Sequence, residues 1–542
     1  MVSEASFNAY QFIHESGIIL KKPIPDSLNQ GPARLTVRLH FNGERPIKSS
    51  AAGKTIRTAY LLALSKLVKN YRLKLIKLKH IRPEASVSIY TNKNRINPDE
   101  FTVSDEILKT GAKAISVVHS DGSNLILAPL DYLPRKLTAK NLLKQRKTIS
   151  MYSYTQTTWA TSVNSENKQS PFKLNGTLAP RERLSLQAIN KSIINAAAYL
   201  VRGQKLSGQF NYEYYPWSDE SSENYNIVRH AGVTWAILRL YNSTEREELL
   251  KAGIKGIKFL LRNIKVHKPN NKTAFVSPES RSVLGATALS ILALMELPYH
   301  LRNKTIVSKA RALGFGLEHL MSTDGRFFLS LKEKQEHSLR NKPVPFFPGE
   351  SLLALATLWK EDSNYWEEST LLTANRQAQN FKSYNSKCHW SVQGLALAGK
   401  LDNSRFLLTT SFEMATLLTE NQYKDLDGIN AGGWPSSARA PTACSAACRL
   451  EALGPAIEAG VRLGKDCTIL RNRMLKGAEF IISQQITKAE AFFLPYPAKT
   501  SGGIRMFPQD LTIRMDVNQH SIAALLNTSN LLKASPYLLD VI

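Results

Sequence analysis

Cysteine is scarce, with only Cys388, Cys444, Cys448 and Cys467 in 542 residues. So few cannot build a disulfide framework, and their spacing lacks the paired C-x-x-C element of a structural zinc site. A reducing, cytoplasmic setting is expected. Long apolar runs are missing too: no stretch of 18 or more apolar residues occurs, and Glu4, His14 and Glu15 interrupt the region where a signal peptide would carry its apolar core. A soluble chain without a transmembrane segment is expected. Neither a G-x-G-x-x-G nor a P-loop is present, which argues against a nucleotide cofactor.

Acidic residues are in short supply. The 44 Asp+Glu face 71 Lys+Arg, a net charge of +27, and about 27 basic against about 12 acidic residues lie in positions 1–180. Such an excess attracts phosphate, anionic lipid or an acidic polymer. No specific nucleic-acid motif accompanies it. The cluster Arg72, Lys74, Lys77, Lys79, Arg82 has only Tyr71 as an aromatic neighbour and reads as a solvated face.

What is present is ample material for a large core: 43% hydrophobic residues with 20 Phe, 19 Tyr and 7 Trp, enough for more than one domain. After an N-terminal extension, 1–32, the segment 33–160 reads as a basic α+β domain. Ala33 to Leu39 alternates like a strand, Thr55 to Leu67 has helical spacing, and Ala114 to Val118 with Asn124 to Leu127 looks like a hairpin around Asp121-Gly122. A polar linker at 161–180 follows, and 181–542 changes to long amphipathic helices. Ser185 opens the first, and Thr244-x-x-Glu247 reads as a capping box before Leu249.

Between these helices a glycine-aromatic punctuation recurs: Gly208-Gln209-Phe210, Gly325-Arg326-Phe327, Gly432-Gly433-Trp434 and, with Ile for the aromatic, Gly502-Gly503-Ile504. Helical hairpins that bury one face must pack on neighbours, and closing the array removes its ends. The expected fold class is therefore an α+β N-terminal domain followed by a large all-α domain, an α/α toroid. About 360 residues at roughly 55–60 per hairpin give about six hairpins.

In such a ring the residues just before and within the first turns of the inner helices face a cavity. His230, Glu350, Glu451, Asp516 and His520 are the candidate catalytic groups there. Asp516 and His520 are four apart, on one helix face, a spacing that suits an acid/base with its orienting carboxylate or two metal ligands. Candidate substrate-binding residues are Tyr212, Trp217, Tyr225, Asn226, Arg229, His389, Trp390, Trp434 and Arg514, the arginines for an anionic group and the rings for stacking. Cys444 and Cys448 lie in an Ala-rich helix and read as small packing residues, so no metal ligand is assigned and no cofactor is expected.

The segments N-Y-N-I-V-R-H-A-G from Asn224, L-G-A-T-A-L from Leu284, F-P-G-E-S-L-L-A-L from Phe347, R-L-E-A-L from Arg449 and R-M-D-V-N-Q-H from Arg514 resemble a group of bacterial α/α-toroid proteins. Those toroids are similar to six-hairpin glycosidases and terpenoid-cyclase-like rings. Residues 33–150 look like a degraded AMMECR domain, without that family's Arg-Gly-Cys turn near Asn42-Gly43-Glu44-Arg45. The resemblance implies a carbohydrate-active enzyme that hydrolyses, eliminates or epimerises a saccharide, possibly an acidic one, by carboxylate and histidine acid-base chemistry. Glu350 with Asp516 would be the pair for hydrolysis. Two other readings compete. One is a non-enzymatic toroid scaffold whose basic segment 33–160 binds an anionic partner. The other is a modifying enzyme using zinc or another divalent metal, held by His389 or His520 with Asp516 or a cysteine.

Overall fold

The computed structural model describes residues 33–41, 45–78, 84–96, 113–119, 124–127, 148–160, 172–174, 183–267, 271–277, 283–340, 344–424, 429–435, 441–491, 494–508 and 510–535. The chain divides into two compact units. The first comprises 1–182, 214–220 and 486–512, and the second 183–213, 221–485 and 513–542.

The first unit carries a seven-stranded antiparallel sheet of β1 (Ala33–His40), β2 (Ile47–Gly53), β3 (Glu84–Ile96), β4 (Lys113–His119), β5 (Asn124–Leu127), β6 (Thr148–Ala160) and β7 (Phe172–Leu174). The strand order is β2-β1-β3-β6-β4-β5, with β7 also on β6. The expected hairpin is β4–β5, where Val118 pairs with Asn124. Leu35, Val37 and Leu39 on β1 alternate with Thr36, Arg38 and His40, so the strand presents one apolar and one polar face. The apolar residues join Val87 and Ile89 of β3 in the core that helix α1 (Ile56–Lys77) completes with Ala59, Ala63, Leu64 and Leu67. The polar side chains are buried too and meet serines of the neighbouring strands. Arg38 donates to Ser88 Oγ at 2.9 Å, and His40 Nε2 lies 2.9 Å from Ser86 Oγ. Helix α1 runs ten residues past the expected Leu67, so Arg72, Lys74 and Lys77 sit on its last turns rather than between helix and strand. Residues 97–99 and 121–122, where Asn-Pro-Asp and Asp-Gly lead one to expect turns, and most of 161–180 lie outside the described residues.

The second unit is the α/α toroid. Its long helices are α2 (Leu186–Arg202), α3 (Ile227–Thr244), α4 (Glu247–Arg262), α5 (Val283–Met295), α6 (Lys304–Leu320), α7 (Phe347–Glu361), α8 (Glu367–Tyr384), α9 (His389–Leu401), α10 (Arg405–Leu418), α11 (Ala443–Arg462), α12 (Thr468–Ser483) and α13 (Met515–Ala534). Helices α3, α5, α7, α9, α11 and α13 pack each on the next, and α13 returns to α3, which closes an inner ring. Each inner helix carries an outer one, α4, α6, α8, α10, α12 and α2 respectively, so the described residues form six hairpins.

The sequence explains which helices go inside. All thirteen residues of α5 are buried, as expected of a helix apolar on every side. Outer α4 buries only one stripe, Leu249, Leu250, Ala252, Gly253, Gly256, Ile257 and Leu260. Each fully buried leucine contributes about 1.5–3 kcal/mol through the hydrophobic effect.

The glycine punctuation falls in the connections from one hairpin to the next. Gly208 has φ +94° and Gly432 φ +79°, conformations a Cβ would strain. A Cβ at Gly432 would also stand 2.1 Å from the carbonyl oxygen of Lys476, and one at Gly208 2.3 Å from that of Lys255. The preceding glutamines repeat as well. Gln204 donates to the carbonyls of Gly208 and Ala252, and Gln422 to those of Gly432 and Arg473.

Ser185 caps α2 as expected, accepting from the Ala188 N–H. The expected capping box does not form. Thr244 ends α3 and donates to Leu240 O, while α4 starts after Arg246 with no side-chain cap. The left-handed Glu245 separates the two helices and takes Thr244 out of register for the cap. Among the described residues, no helix is long and apolar enough to cross a membrane.

Candidate functional site

The inner helices run in the same sense, and their N-terminal turns bring the polar residues of the ring together. Helices α9, α11 and α13 supply His389, Glu451 and His520. His520 Nδ1 lies 2.9 Å from Glu451 Oε2, and His389 Nε2 lies 3.7 Å from the same oxygen. The two imidazole rings stand edge to face, 5.6 Å apart, and Trp390 packs against both. Burial opposes charge on His520, but Glu451, Cys444 and Asp516 outweigh it and push its pKa up to about 9. His389 behaves oppositely: burial, then His520 and Arg449, hold it well below the ordinary range and keep it neutral.

Glu350 sits in the first turn of α7. It is buried, and burial pushes its carboxyl up to about 8, against a smaller opposing effect of His520. Its orientation depends on Gly285 of α5, where a Cβ would come within 2.7 Å of Oε2. Just before α7, Phe346 adopts φ 72°, ψ −76°, a strained conformation for a residue with a side chain. Its half-exposed ring stands edge to face with His389, 5.9 Å away.

Three buried polar atoms at this end of the ring lack a hydrogen-bond partner among the described residues: Glu350 Oε2, His389 Nε2 and Glu451 Oε1. Leaving each one bare costs about 1–3 kcal/mol, more where charge is involved. Three together, on neighbouring helices, are the signature of a site built for something else to bind.

Beside this cluster, Asp516 is fully engaged. Arg514 Nε lies 3.0 Å from Oδ1 and its Nη2 2.5 Å from Oδ2, while Arg229 Nε lies 3.1 Å from Oδ2. Burial would raise its pKa, but the two guanidiniums hold it below the usual carboxylate range. Arg229 also donates to Tyr212 Oη. The pair expected for hydrolysis is therefore unequal: Glu350 is bare and protonated near neutrality, whereas Asp516 is ionised and bound by two arginines.

The other expected residues take different places. His230 lies inside α3 and is completely buried against Phe210, Tyr225 and Phe259. The Tyr225 hydroxyl bonds Nδ1, and Nε2 bonds the Gly256 carbonyl at 3.1 Å, so both nitrogens are used. Burial lowers its pKa to about 4, and its place is that of a neutral core histidine. Asn226 is the N-cap of α3, its side chain accepting from the Arg229 N–H. Trp434 is completely buried and donates to Thr419 O, packed under Arg449. Trp217 is half-buried in the first unit.

Cys448, expected as a packing residue, also brings its sulfur next to this cluster. Donor atoms of His389, Cys448, Glu451 and His520 all lie within 4.8 Å of one another. The available signal was Cys444-x-x-x-Cys448-x-x-Glu451, which puts all three on one helix face. A second concavity, about 390 Å³, lies at the opposite, C-terminal end of the inner helices between Arg239, Glu296, Lys360, Lys400 and Arg462.

No family model matches the sequence, and no curated protein matches it. Several solved structures are similar to it at low identity. An unsaturated glucuronyl hydrolase specific for heparin is 11% identical with a TM-score of 0.48, over 64% of this chain and 99% of that one. Cellobiose 2-epimerase from Bacillus thermoamylovorans is 11% identical with a TM-score of 0.47, over 63% and 100%. A D-mannose isomerase is 13% identical with a TM-score of 0.46, over 64% and 98%. These are proteins to which this chain is similar, and no role is carried over from them.

Proposed function

We propose that the helical unit is a carbohydrate-active enzyme whose first chemical step removes a proton α to a carboxylate or carbonyl of an acidic saccharide, with Glu350 as the base. The observation that carries this reading is the bare, buried Oε2 of Glu350. A carboxyl with a pKa of about 8 is a far stronger base, once ionised, than an ordinary glutamate.

Glu350 in its carboxylate form takes the C–H proton, and the bonding pair moves onto the adjacent carboxylate or carbonyl to give an enediolate. Protonation of that carbon on its opposite face completes epimerisation; departure of the β-oxygen substituent, which takes up a proton from Glu350 or water, completes elimination. Arg229, Arg514 and Asp516 together carry one net positive charge, enough to seat one substrate carboxylate and stabilise the enediolate. Hydrolysis is the weaker reading, because it needs a second carboxylate free to act on the sugar or on water. Asp516 is bound by two arginines and Glu451 by His520.

The saccharide class rests on the resemblance of the segments around Arg229, Glu350, Glu451 and His520, and Phe346 offers an apolar face for a sugar ring. The basic segment 33–160 fits a module that holds an anionic polymer.

The test is incubation with uronate-containing and neutral oligosaccharides in D₂O, followed by NMR. Deuterium at the carbon α to the uronate carboxylate, or an unsaturated product, is expected with the wild type and not with Glu350→Gln. New reducing ends without deuterium would replace this reading by hydrolysis, and silence with every saccharide would end it.

A further inference from the structure

Three features of the α9–α11–α13 cluster exceed what proton transfer by Glu350 requires: the bare Nε2 of His389, the bare Oε1 of Glu451 and the nearby thiol of Cys448. Two imidazoles, a thiol and a carboxylate from three inner helices converge on one point. We infer that His389, Cys448, Glu451 and His520 form a centre for a divalent cation of borderline softness, zinc(II) first.

The donor chemistry argues for it. A nitrogen, sulfur and oxygen set suits zinc, whereas calcium and magnesium require oxygen ligands. Zinc bonds of roughly 2.0–2.3 Å in a tetrahedron set neighbouring donors about 3.3–3.8 Å apart. His389 Nε2 and Glu451 Oε2 are already 3.7 Å apart, and His520 Nδ1 and Glu451 Oε2 2.9 Å. The widest separation in the set, within 4.8 Å, closes by about one ångström, a side-chain adjustment.

Access and rigidity fit as well. His389 and Glu451 are buried and locked into α9 and α11, while Cys448 and His520 keep partial exposure, so an ion can enter from their side. Filling the centre gives the orphaned Nε2 of His389 a partner, which removes the cost of leaving it bare. Cys444, one turn before Cys448, stands outside the set and serves as the internal control. The centre deepens the proton-transfer reading and rests on it for its catalytic meaning. A cation here would polarise the substrate oxygen on which the enediolate charge develops, while Glu350 moves the proton.

Metal analysis of the full-length chain purified without chelator tests it, and about one zinc per chain is expected. Reconstitution with cobalt(II) is the second arm. A near-ultraviolet thiolate-to-cobalt charge-transfer band should appear in wild type, Cys444→Ser and Cys467→Ser, and vanish in Cys448→Ser. His389→Ala should lose the ion to a competing chelator at least about tenfold more readily. A folded protein with no stoichiometric metal and no cobalt band overturns the centre, as does a band that survives Cys448→Ser. Deuterium exchange in the D₂O assay that persists in metal-free protein would remove the centre's part in catalysis and leave Glu350's role intact. One zinc per chain with no saccharide turnover would do the reverse.

Discussion

Arg229 Nε lies 3.1 Å from Asp516 Oδ2, and this contact joins the first inner helix of the ring to the last. The two residues are 287 positions apart in sequence, yet their helices are neighbours because the ring closes there. The same carboxylate holds Arg514, so one buried anion both fastens the closure and keeps two guanidiniums side by side.

Asp516→Ala should therefore cost about 3–5 kcal/mol, since it leaves two partly buried arginines without their counter-ion. Asp516→Asn should cost less. Because its folded pKa is depressed, the stabilisation from Asp516 is complete above the unfolded value near 3.8 and is lost as pH falls through the lower folded value. Urea denaturation of both variants at pH 7 and pH 3 checks this, with a difference between wild type and Asp516→Asn that shrinks at the lower pH.

Glu350→Gln should remove proton exchange by at least about a hundredfold while stabilising the protein. The carboxyl is raised from 4.5 to about 8, so the unfolded chain is ionised in this window while the folded one keeps its proton. Stability then falls as pH rises from 4.5 to 8, by at most about 5 kcal/mol, and glutamine escapes that loss. A Tm series across this window should show the variant gaining on the wild type as pH rises, and wild-type turnover should rise through about pH 8. An unchanged or lower Tm for Glu350→Gln at pH 8 would contradict the assigned environment.

His230 predicts the opposite pH slope. Its folded pKa of about 4 lies below the ordinary 6.5, so the unfolded chain binds the extra proton first. Stability from this residue is complete above 6.5 and is lost as pH falls toward 4, by at most about 3 kcal/mol. His230→Gln should lower the Tm at pH 7 yet flatten its fall between pH 6.5 and 4, while NMR of wild type should show no imidazolium for this residue at pH 6.

Gly432→Ala should destabilise by more than the ~1 kcal/mol typical of left-handed strain, because the added Cβ also meets the Lys476 carbonyl at 2.1 Å. Gly464→Ala is the matched control: its φ is +71°, but nothing lies within 4 Å of the new Cβ. The difference between their denaturation midpoints isolates the close approach from the backbone strain.

The helices and the repeat were legible because they follow local rules. Ser185 caps α2, α5 is apolar on every side, and Gly208, Gly325 and Gly432 adopt the positive φ that their recurrence implied. Thr244-x-x-Glu247 failed as a cap because Glu245 is left-handed, a choice made by where α3 must stop to let α4 pack back on it. His230 and His389 illustrate the harder case. Both are histidines at inner-helix starts, yet one has both nitrogens occupied and the other has a bare Nε2. Nothing in their neighbouring residues distinguishes them, since the partners of His230 include Gly256 on the next helix.

By itself the sequence determined the fold class, the number of hairpins and the helix ends at which polar residues would gather, because periodicity, glycine conformations and caps act within a few residues. Only the tertiary structure decided which of those residues meet: that the Cys448 sulfur lies among donor atoms of His389, Glu451 and His520, that Asp516 is taken by Arg229 and Arg514, and that Glu350 is left bare. The physical reason is that hydrogen bonding, ion pairing and desolvation at a ring's centre depend on side chains from helices up to some 300 residues apart, which local pattern does not relate.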